Sequence, residues 1–285
     1  MKKLLIQIDS SPHPSVFDRV VAFDGGADEV MSYGGVAVGD VRDLVHGAIF
    51  TRGPKDLHHT AIFIGGTDMM AGERLLAAVR ETFFGPMRVS VMLDSNGSNT
   101  TAVAAVARLE KAAGGDLRGA RAVVTAGTGP VGMRAVGLLA KAGADVTLTS
   151  RRTVKAAFLE GLSQRFGGAV RAVELSDPSQ AFDLLEGAQL LISAGPAGVR
   201  LILKAAWARR SGLRAVVDLN AVPPLGIEGV EVQDSGVERE GVTVYGALGV
   251  GSLKMKIHKA CIVKLFERND VVLDAETIAD VARNL

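Results

Sequence analysis

The sequence predicts an α/β protein with two domains, a doubly wound parallel sheet and a smaller α/β domain beside it. The chain has 285 residues, more than one domain of ordinary size requires. Short β-rich runs alternate with helical patterns along most of its length, as expected for parallel sheets covered by helices. This alternation ends near residue 105 and restarts near residue 117, which indicates two separate sheets.

The first series of elements contains four predicted strands. They are Leu4–Ile8, Glu29–Ser32, Ala61–Ile64 and Val89–Leu93. Helical patterns cover residues 15–23, 38–48, 68–83 and 99–113. Because each strand is followed by a helix, we expect a mostly parallel sheet.

The second series contains six predicted strands with helices between most of them. They are Arg121–Thr125, Asp145–Thr149, Val170–Glu174, Leu190–Ser193, Ala215–Asp218 and Val242–Tyr245. Six such strands form the two βαβαβ halves of a Rossmann-type domain. Helical patterns from about Leu253 to Glu267 and from Ala275 onward have no strand left to join, so we expect them to return to the first domain. The predicted boundaries are therefore 1–105 plus 253–285 and 106–252, with a cleft between the two domains.

Composition excludes several classes of partner. Lysine and arginine number 32 against 31 acidic residues, so no overall positive charge favours nucleic acid or an anionic membrane. The only cysteine, Cys261, excludes an internal disulfide and predicts a reducing compartment. No apolar run reaches the roughly 18–20 residues of a membrane span. We therefore expect a cytoplasmic protein without nucleic-acid or membrane partners.

A glycine-rich segment joins the first strand of the second series to a helix. It reads Gly127-Thr128-Gly129-Pro130-Val131-Gly132. We expect Gly127 to allow a tight turn, Gly129 to let a pyrophosphate approach the backbone, and Gly132 to let the helix pack closely. The amides and dipole of the helix N-terminus favour an anion. All six residues are therefore candidates for binding a dinucleotide, and the alternative is a turn that only packs.

The end of the next strand predicts which nucleotide binds. An acidic residue at this position would bind the ribose 2′-hydroxyl, but the chain has Ser150-Arg151-Arg152. Arginine offers a planar donor fork for phosphate, so the segment favours NADP over NAD, and Lys155 is a further candidate. The alternative is a solvated pair of charges at a helix start.

Loops after later strands supply the remaining cofactor candidates, because ligands lie beyond the carboxyl ends of such strands. They are the segments Ser193-Ala194-Gly195-Pro196 and Asp218-Leu219-Asn220, together with Gly246 and Ala247. A plain turn would explain either of the two segments equally well.

Two segments of the first domain are candidates for substrate binding. Phe17 and Asp18 follow the opening strand, where an aromatic ring can stack on a planar ligand. Burial in the core explains Phe17 equally well, and a capping box with Ser15 also explains Asp18. The second segment is unusually polar and contains Asp94, Asn96, Asn99, Thr100 and Thr101. It has more hydrogen-bonding side chains than one helix cap needs, which favours substrate binding.

A third candidate segment runs from Tyr245 to Lys254. Its glycines would permit close approach to a ring before the last long helix, so Leu248 and Gly249 are candidates. Lys254 is expected near the helix N-terminus, where it would oppose the dipole. A basic group in that place favours a role toward a ligand, and the alternative is a surface lysine.

The histidines indicate no metal site. They lie at positions 13, 46, 58, 59 and 258 and show neither metal-ligand spacing nor a neighbouring nucleophile. We therefore expect no metal and no covalent catalysis, which favours a redox reaction without a protein acid or base.

Taken together, these segments resemble the NADP-dependent methylene-tetrahydromethanopterin dehydrogenases of bacterial one-carbon metabolism, some of which also accept methylene-tetrahydrofolate. The resemblance spans Ser15–Asp18, Asp24–Asp28, Met92–Thr101, Ala126–Arg134, Pro223–Ile227 and Gly246–Glu267. It implies that Phe17 and Lys254 contact the pterin, that Arg151 and Arg152 bind the 2′-phosphate, and that the chain is a homo-oligomer. Lys254 is the catalytic candidate. One departure is Val222, where a polar residue is expected before the two prolines.

Related bifunctional folate enzymes also hydrolyse the methenyl product with a Tyr-x-x-x-Lys pair. Here the fourth residue after Tyr33 is Ala37, and the only lysines before residue 100 are Lys2, Lys3 and Lys55. We therefore expect no cyclohydrolase activity. Two other interpretations remain open: another NADP dehydrogenase on the same plan, such as the shikimate type, and a non-catalytic NADP(H)-binding regulator. Both pterins remain candidate substrates.

Overall fold

The computed structural model describes residues 1–285, which divide into two compact units. Unit 1 contains Met1–Thr100 and Met255–Leu285, and unit 2 contains Thr101–Lys254. Both limits fall inside helices, Ser98–Ala112 and Ala247–Leu265. The boundaries predicted from the sequence lie in the same two helices.

The chain forms twelve strands and ten α-helices. The strands, in chain order, are β1 Leu4–Asp9, β2 Glu29–Tyr33, β3 Thr60–Gly65, β4 Ser90–Leu93, β5 Arg121–Thr125, β6 Asp145–Ser150, β7 Val170–Glu174, β8 Leu190–Ser193, β9 Ala215–Asp218, β10 Ser235–Arg239, β11 Val242–Tyr245 and β12 Val272–Leu273. The helices are α1 Val16–Asp24, α2 Val41–Ile49, α3 Met69–Thr82, α4 Ser98–Ala112, α5 Pro130–Lys141, α6 Ala156–Phe166, α7 Ala181–Leu184, α8 Lys204–Trp207, α9 Ala247–Leu265 and α10 Ala275–Ala282.

Unit 1 contains a parallel sheet of five strands in the order β12-β4-β3-β1-β2. Every residue of β3 is buried, because helices cover both faces of the sheet's centre. Ile8 and Ile64 on neighbouring strands pack in one core with Val45 of α2 and Val79 of α3. The carboxyl ends of β1, β3 and β4 therefore have fixed positions at one edge of this sheet.

The fifth strand of unit 1 corrects one expectation. Val272 and Leu273 pair with Val91 and Met92 of β4, so the C-terminal segment does have a strand to join. Two residues are too few to show the period-two pattern from which strands are predicted.

Unit 2 contains a sheet of seven strands in the order β10-β11-β9-β8-β5-β6-β7. The six predicted strands are present and parallel, and they follow the doubly wound order of a Rossmann-type domain. The fold class predicted from the sequence is therefore confirmed. The seventh strand, β10, is antiparallel and at the edge, and the first four of its five residues are exposed.

Two kinds of feature are absent from the structure. None of the helices is both long and apolar enough to cross a membrane. No three His, Cys, Asp or Glu side chains are grouped as a metal ion would require.

Candidate functional site

The carboxyl edge of the unit 2 sheet has a topological switch point between β5 and β8. From β5 the chain continues to β6 and β7 on one side, whereas β8 leads to β9 and β11 on the other. Ligands of doubly wound sheets bind in the crevice that such a divergence opens. The predicted phosphate loop lies here, because it directly follows β5.

The glycines of the phosphate loop have distinct roles. A Cβ on Gly132 would lie 2.5 Å from the carbonyl oxygen of Ala126, so this glycine lets α5 pack against the loop. A Cβ on Gly127 would lie 2.6 Å from the Cβ of Leu148. The residue with positive φ is Ala126, at 51°. Gly127 itself lies in the turn after β5, and its close approach to β6 is what requires a glycine there.

Gly129 differs from its two neighbours in the fingerprint. The nearest atom to an added Cβ is the carbonyl oxygen of Ala126, at an ordinary 3.4 Å. Gly129 is the N-cap of α5, with extended backbone and no side-chain hydrogen bond to the helix. The first amides of α5 therefore have no side-chain acceptor from this cap, and Pro130 removes one of them. An anion can bind here.

Two exposed cations follow the end of β6. Arg151 and Arg152 are exposed, and neither guanidinium is hydrogen-bonded or ion-paired to another residue of the chain. The hydroxyl of Ser150 accepts from the amide of Arg152 at 3.3 Å. Lys155 is also exposed, at the N-cap position of α6. This segment concentrates positive charge beside the phosphate loop.

The loops after β8 and β9 are joined by Asn220. Its side-chain amide donates to the carbonyl oxygens of Pro196 at 3.4 Å and Pro224 at 3.2 Å, and its oxygen accepts from the amide of Val222 at 2.9 Å. Gly195 lies in the first of these loops, after Ala194, and a Cβ there would lie 2.6 Å from Leu201. Asn220 therefore has a structural role in the crevice wall whether or not it touches a ligand.

Three polar residues at this edge are buried, and the sequence prediction included Ser193 and Asp218 but missed Thr125. Thr125, Ser193 and Asp218 are the last residues of β5, β8 and β9, and each is 0% exposed. Burial raises the pKa of Asp218 to about 6, and backbone amides of the following loop oppose the shift. Their signal in the sequence was a polar residue at the final position of three apolar strands.

The helix α9 corrects the interpretation of the third candidate segment. It begins at Ala247, so Leu248 and Gly249 lie in its first turn and Lys254 is its eighth residue. The expectation that Lys254 opposes the dipole at a helix start was therefore wrong. A Cβ on Gly246 or Gly249 would collide with the carbonyl oxygens of Glu231 and Asp234 respectively. These two glycines are required by packing of the chain's own backbone.

Arg108 of α4 holds the first turn of α9. Its guanidinium donates to the carbonyl oxygen of Gly249 at 3.0 Å and to the Ser252 hydroxyl at 3.3 Å. It also lies over the Tyr245 ring, 5.4 Å from the centroid. Leu248, by contrast, is 62% exposed.

In unit 1 the carboxyl end of β1 positions Phe17 and Asp18. The hydroxyl of Ser15 caps α1 by accepting from the amide of Asp18 at 3.2 Å, while the amide of Ser15 donates to the buried carboxylate of Asp9 at 3.2 Å. Asp9 therefore replaces Asp18 in the second half of the expected capping box. Phe17 is half exposed. Asp9 was missed by the sequence prediction.

His258 of α9 lies against the same region of unit 1. Its buried ring stacks on Phe63 of β3, with centroids 5.5 Å apart and an interplanar angle of 16°. Phe17 lies 6.4 Å from the same imidazole. Lys254 lies one helical turn earlier along α9.

Several polar residues of the segment after β4 form hydrogen bonds with one another. The Asp94 carboxylate accepts from the amides of Asn99 at 2.9 Å and Thr100 at 3.0 Å and from the Thr100 hydroxyl at 2.6 Å, and all three residues are buried. Asn96, with φ 57°, is exposed and Thr101 is partly exposed. The three buried side chains thus build the start of α4, which leaves Asn96 and Thr101 as the accessible members.

The fold and the phosphate loop define a two-unit α/β protein whose second unit is of the Rossmann nucleotide-binding type. Shikimate 5-dehydrogenase from Listeria monocytogenes has a similar structure, with a TM-score of 0.55 and 13% identity, covering 98% of this chain and 96% of the other. Ornithine carbamoyltransferase from Pyrococcus furiosus has a TM-score of 0.60 at 13% identity, covering 92% and 83%. Because these two differ in chemistry and in sequence, the likeness shows the fold alone.

Sequence relatives define the family. A family model described as the N-terminal part of methylene-tetrahydromethanopterin dehydrogenase matches residues 16–96. The chain is 51% identical over 285 residues to the bifunctional protein MdtA of Methylorubrum extorquens, covering 100% of this chain and 99% of the relative. It is 32% identical over 280 residues to an NAD(P)-dependent methylenetetrahydromethanopterin dehydrogenase of the same organism, covering 94% and 93%. The chain belongs to the methylene-tetrahydromethanopterin dehydrogenase family, as its motifs predicted.

Proposed function

We propose that this protein transfers hydride between NADP and the methylene carbon of 5,10-methylene-tetrahydromethanopterin, and that methylene-tetrahydrofolate is a second substrate. The observation that carries this proposal is similarity along the whole chain to a dehydrogenase named for that substrate. The family model covers the part of unit 1 that contains Phe17, Asp18 and Asp94. The shared fold alone gives no support to a shikimate-type reaction.

The residues at the switch point fit a dinucleotide. Gly129 leaves space at the N-terminus of α5, where amides favour a pyrophosphate. Arg151 and Arg152 have free guanidiniums for a 2′-phosphate, and Ser150 adds a hydroxyl. A regulator that only binds NADP(H) would need this site but would not need the substrate residues of unit 1.

When bound, NADP⁺ supplies the hydride acceptor. Loss of hydride from a methylene carbon between two nitrogens leaves a methenyl cation that both nitrogens stabilise, so the protein need not provide a base. Its contribution is to position two rings and exclude competing reactions. In this proposal Phe17 stacks on the pterin and Asp18, Asn96, Thr101 and Lys254 donate or accept hydrogen bonds. Lys254 is then a binding group rather than a proton carrier.

Purified protein tests the proposal directly. With methylene-tetrahydromethanopterin and NADP⁺ we expect formation of the methenyl absorbance and of NADPH in equal amounts. Arg151→Glu should abolish the NADP reaction, and His58→Ala, which changes an unrelated loop, should not. No turnover with either nucleotide would refute the proposed function, and turnover by Arg151→Glu at the wild-type rate with NADP would refute the 2′-phosphate site.

Further expectations concern the product and the assembly. Because the Tyr-x-x-x-Lys pair is absent, we propose that methenyl product accumulates without hydrolysis, and release of formyl-pterin by the purified enzyme would contradict this. We also propose a cytoplasmic homo-oligomer, which light scattering on the purified chain and fractionation of cells would test.

A further inference from the structure

Three polar residues form a row across the switch point of the unit 2 sheet. Thr125 is paired in register with Ser193, and Ser193 with Asp218, so the final residues of β5, β8 and β9 lie side by side. All three are fully buried. The hydroxyls of Thr125 and Ser193 have no hydrogen-bond partner in the protein, whereas the Asp218 carboxylate has several. Buried polar groups normally have hydrogen-bond partners, and of these three residues Asp218 is the one whose side chain has them within the protein.

The Asp218 carboxylate closes the loop that follows β9. One oxygen accepts from the amide of Asn220 at 3.0 Å, and the other from the amide of Ile227 at 2.8 Å. One side chain thus holds both ends of an eight-residue segment.

The same loop is fastened to the loop after β8. Asn220 bonds to the carbonyl of Pro196 and accepts from the amide of Gly198 at 3.4 Å. The carbonyl oxygen of Gly226 accepts from the amides of Leu201 at 2.8 Å and Ile202 at 3.0 Å. The two loops that follow β8 and β9 therefore share one hydrogen-bond network, and Asp218 is at its base.

We infer that Asp218 is a positioning residue of the nucleotide site, which fixes residues 219–227 and, through Asn220, residues 194–200. This inference rests on the proposed binding of NAD(P) at the switch point. Asp218 is too deeply buried to touch the nucleotide, so its effect is on the shape of the crevice wall. A carboxylate suits this role because it accepts several amides at once, and hydrogen bonds to a charged group are stronger than neutral ones.

The ionisation of Asp218 should change the hydrogen bonding of the loop, and therefore nucleotide affinity, between pH 5 and 7.5. The Ser193 hydroxyl and Gly226 face it, because a Cβ on Gly226 would lie 2.6 Å from the former and 2.7 Å from the carboxylate. Glu228, the ionisable residue that directly follows this loop, is paired with Arg200 at 3.3 Å. With a pKa of about 6, Asp218 is ionised at pH 7.5 and mostly protonated at pH 5. Protonation removes an acceptor from the loop.

Nucleotide binding by calorimetry tests the inference without any pterin. Asp218→Asn keeps the size but replaces one acceptor oxygen with a donor, so we expect the dissociation constants of NAD and NADP to rise about tenfold at pH 7.5. In turnover the KM for nucleotide should rise more than kcat falls. Asp183→Asn, an exposed carboxylate in α7 of the same unit, is the control and should bind as wild type.

The pH profile separates positioning from plain loss of structure. NAD is the suitable probe, because the 2′-phosphate of NADP itself ionises near pH 6. Wild-type affinity for NAD should fall below pH 6, and Asp218→Asn should show no such change. Equal NAD affinity of the variant and wild type at pH 7.5 would overturn the inference.

A second variant covers failure of the first to fold. Asn220→Ala cuts the link between the loops and should weaken NAD binding while retaining the pH dependence below 6. Wild-type affinity in a folded Asn220→Ala protein would also overturn the inference. If the wild-type protein binds both nucleotides but turns over no pterin, the proposed substrate is wrong and the inference stands.

Discussion

Asp234, directly before β10, and Arg239, the last residue of β10, form an ion pair with two hydrogen bonds, each 2.8 Å long. The carboxylate is 3% exposed and also accepts from the amide of Glu231. The carbonyl oxygen of Asp234 accepts from the amide of Gly246 at 2.9 Å. One residue therefore shapes the turn with its side chain and fixes the start of the helix with its backbone.

Replacing Asp234 by Asn should destabilise the protein. The change removes the charge of a buried carboxylate, but its partner Arg239 is 36% exposed and stays solvated, so we expect a loss of roughly 1–2 kcal/mol. Thermal unfolding should show a midpoint lower by several degrees. Asp116→Asn is the control, because its pair with Arg118 is exposed and should contribute nothing measurable. Equal melting temperatures for wild type and Asp234→Asn would contradict the role of the pair.

Two glycines of α9 should respond to alanine in opposite directions. A Cβ on Gly249 would collide with the Asp234 carbonyl, whereas no atom lies within 4 Å of a Cβ on Gly251. Alanine is favoured over glycine in helices by roughly 0.5–1 kcal/mol. Gly251→Ala should therefore raise the unfolding midpoint and Gly249→Ala should lower it. The pair shares a helix, so a shift in the same direction for both would show that the predicted packing is wrong.

Alanine substitutions at two phosphate-loop glycines should have different effects, one on NADP affinity and the other on stability. Gly129 has space for a Cβ in the protein, and Gly132 does not. Gly129→Ala should fold with near wild-type stability but bind NADP at least tenfold more weakly, because the methyl group occupies the place of the pyrophosphate. Gly132→Ala should lose stability. Calorimetry and thermal unfolding of both variants check this, and unchanged affinity in Gly129→Ala would count against the proposed nucleotide site.

Glu174 should limit the preference for NADP. It pairs in register with Ser150 at the ends of β7 and β6, and its carboxylate accepts from the Thr153 hydroxyl at 3.2 Å. A 2′-phosphate carries about −1.5 to −2 charges at neutral pH, so a carboxylate beside its proposed site repels it. Glu174→Gln should raise the ratio of kcat/KM for NADP over NAD by roughly two- to tenfold, and less at high salt.

The matched control for this prediction is Glu186→Gln. Glu186 is exposed and precedes β8, so it belongs to the opposite, amino edge of the sheet. The ratio of kcat/KM for NADP over NAD in Glu186→Gln should equal that of the wild type. A fall in the ratio for Glu174→Gln would mean that Glu174 orients the arginines rather than opposing the phosphate.

Much of the fold could be predicted because its strands are apolar runs bounded by turn residues. Five strands of unit 2, from Arg121–Thr125 to Val242–Tyr245, have the predicted limits. The early start of α9 was missed because Gly249 and Gly251 are poor helix formers. Their helical conformation depends on tertiary contacts such as those of Arg108 and Asp234, which sequence patterns do not contain.

Some residues of the candidate site could likewise be predicted from the sequence, and the roles of others could not. Arg151 and Arg152 could be predicted as candidates because they are cationic residues at a helix start, where the helix dipole disfavours positive charge. The role of a buried polar residue is harder to predict, because its partners depend on how the following loop folds: Asp218 bonds to the amide of Ile227, nine residues later, and Asp9 to the amide of Ser15, six residues later. In the Asp94 segment, the Asp94 carboxylate also accepts from the first amides of α4, and a count of polar residues does not distinguish this capping role from ligand binding.

The strand β12 has a consequence for how the chain folds during synthesis. Unit 1 takes its fifth strand and its last helix from residues after Met255, whereas unit 2 is one continuous stretch from Thr101 to Lys254. On the ribosome, unit 2 can finish folding while unit 1 still lacks an edge, with β4 unpaired on one side. Exposed strand edges are prone to aggregation. Unit 1 is synthesised before unit 2, but its sheet edge at β4 stays open to aggregation until the C-terminal residues pair with it.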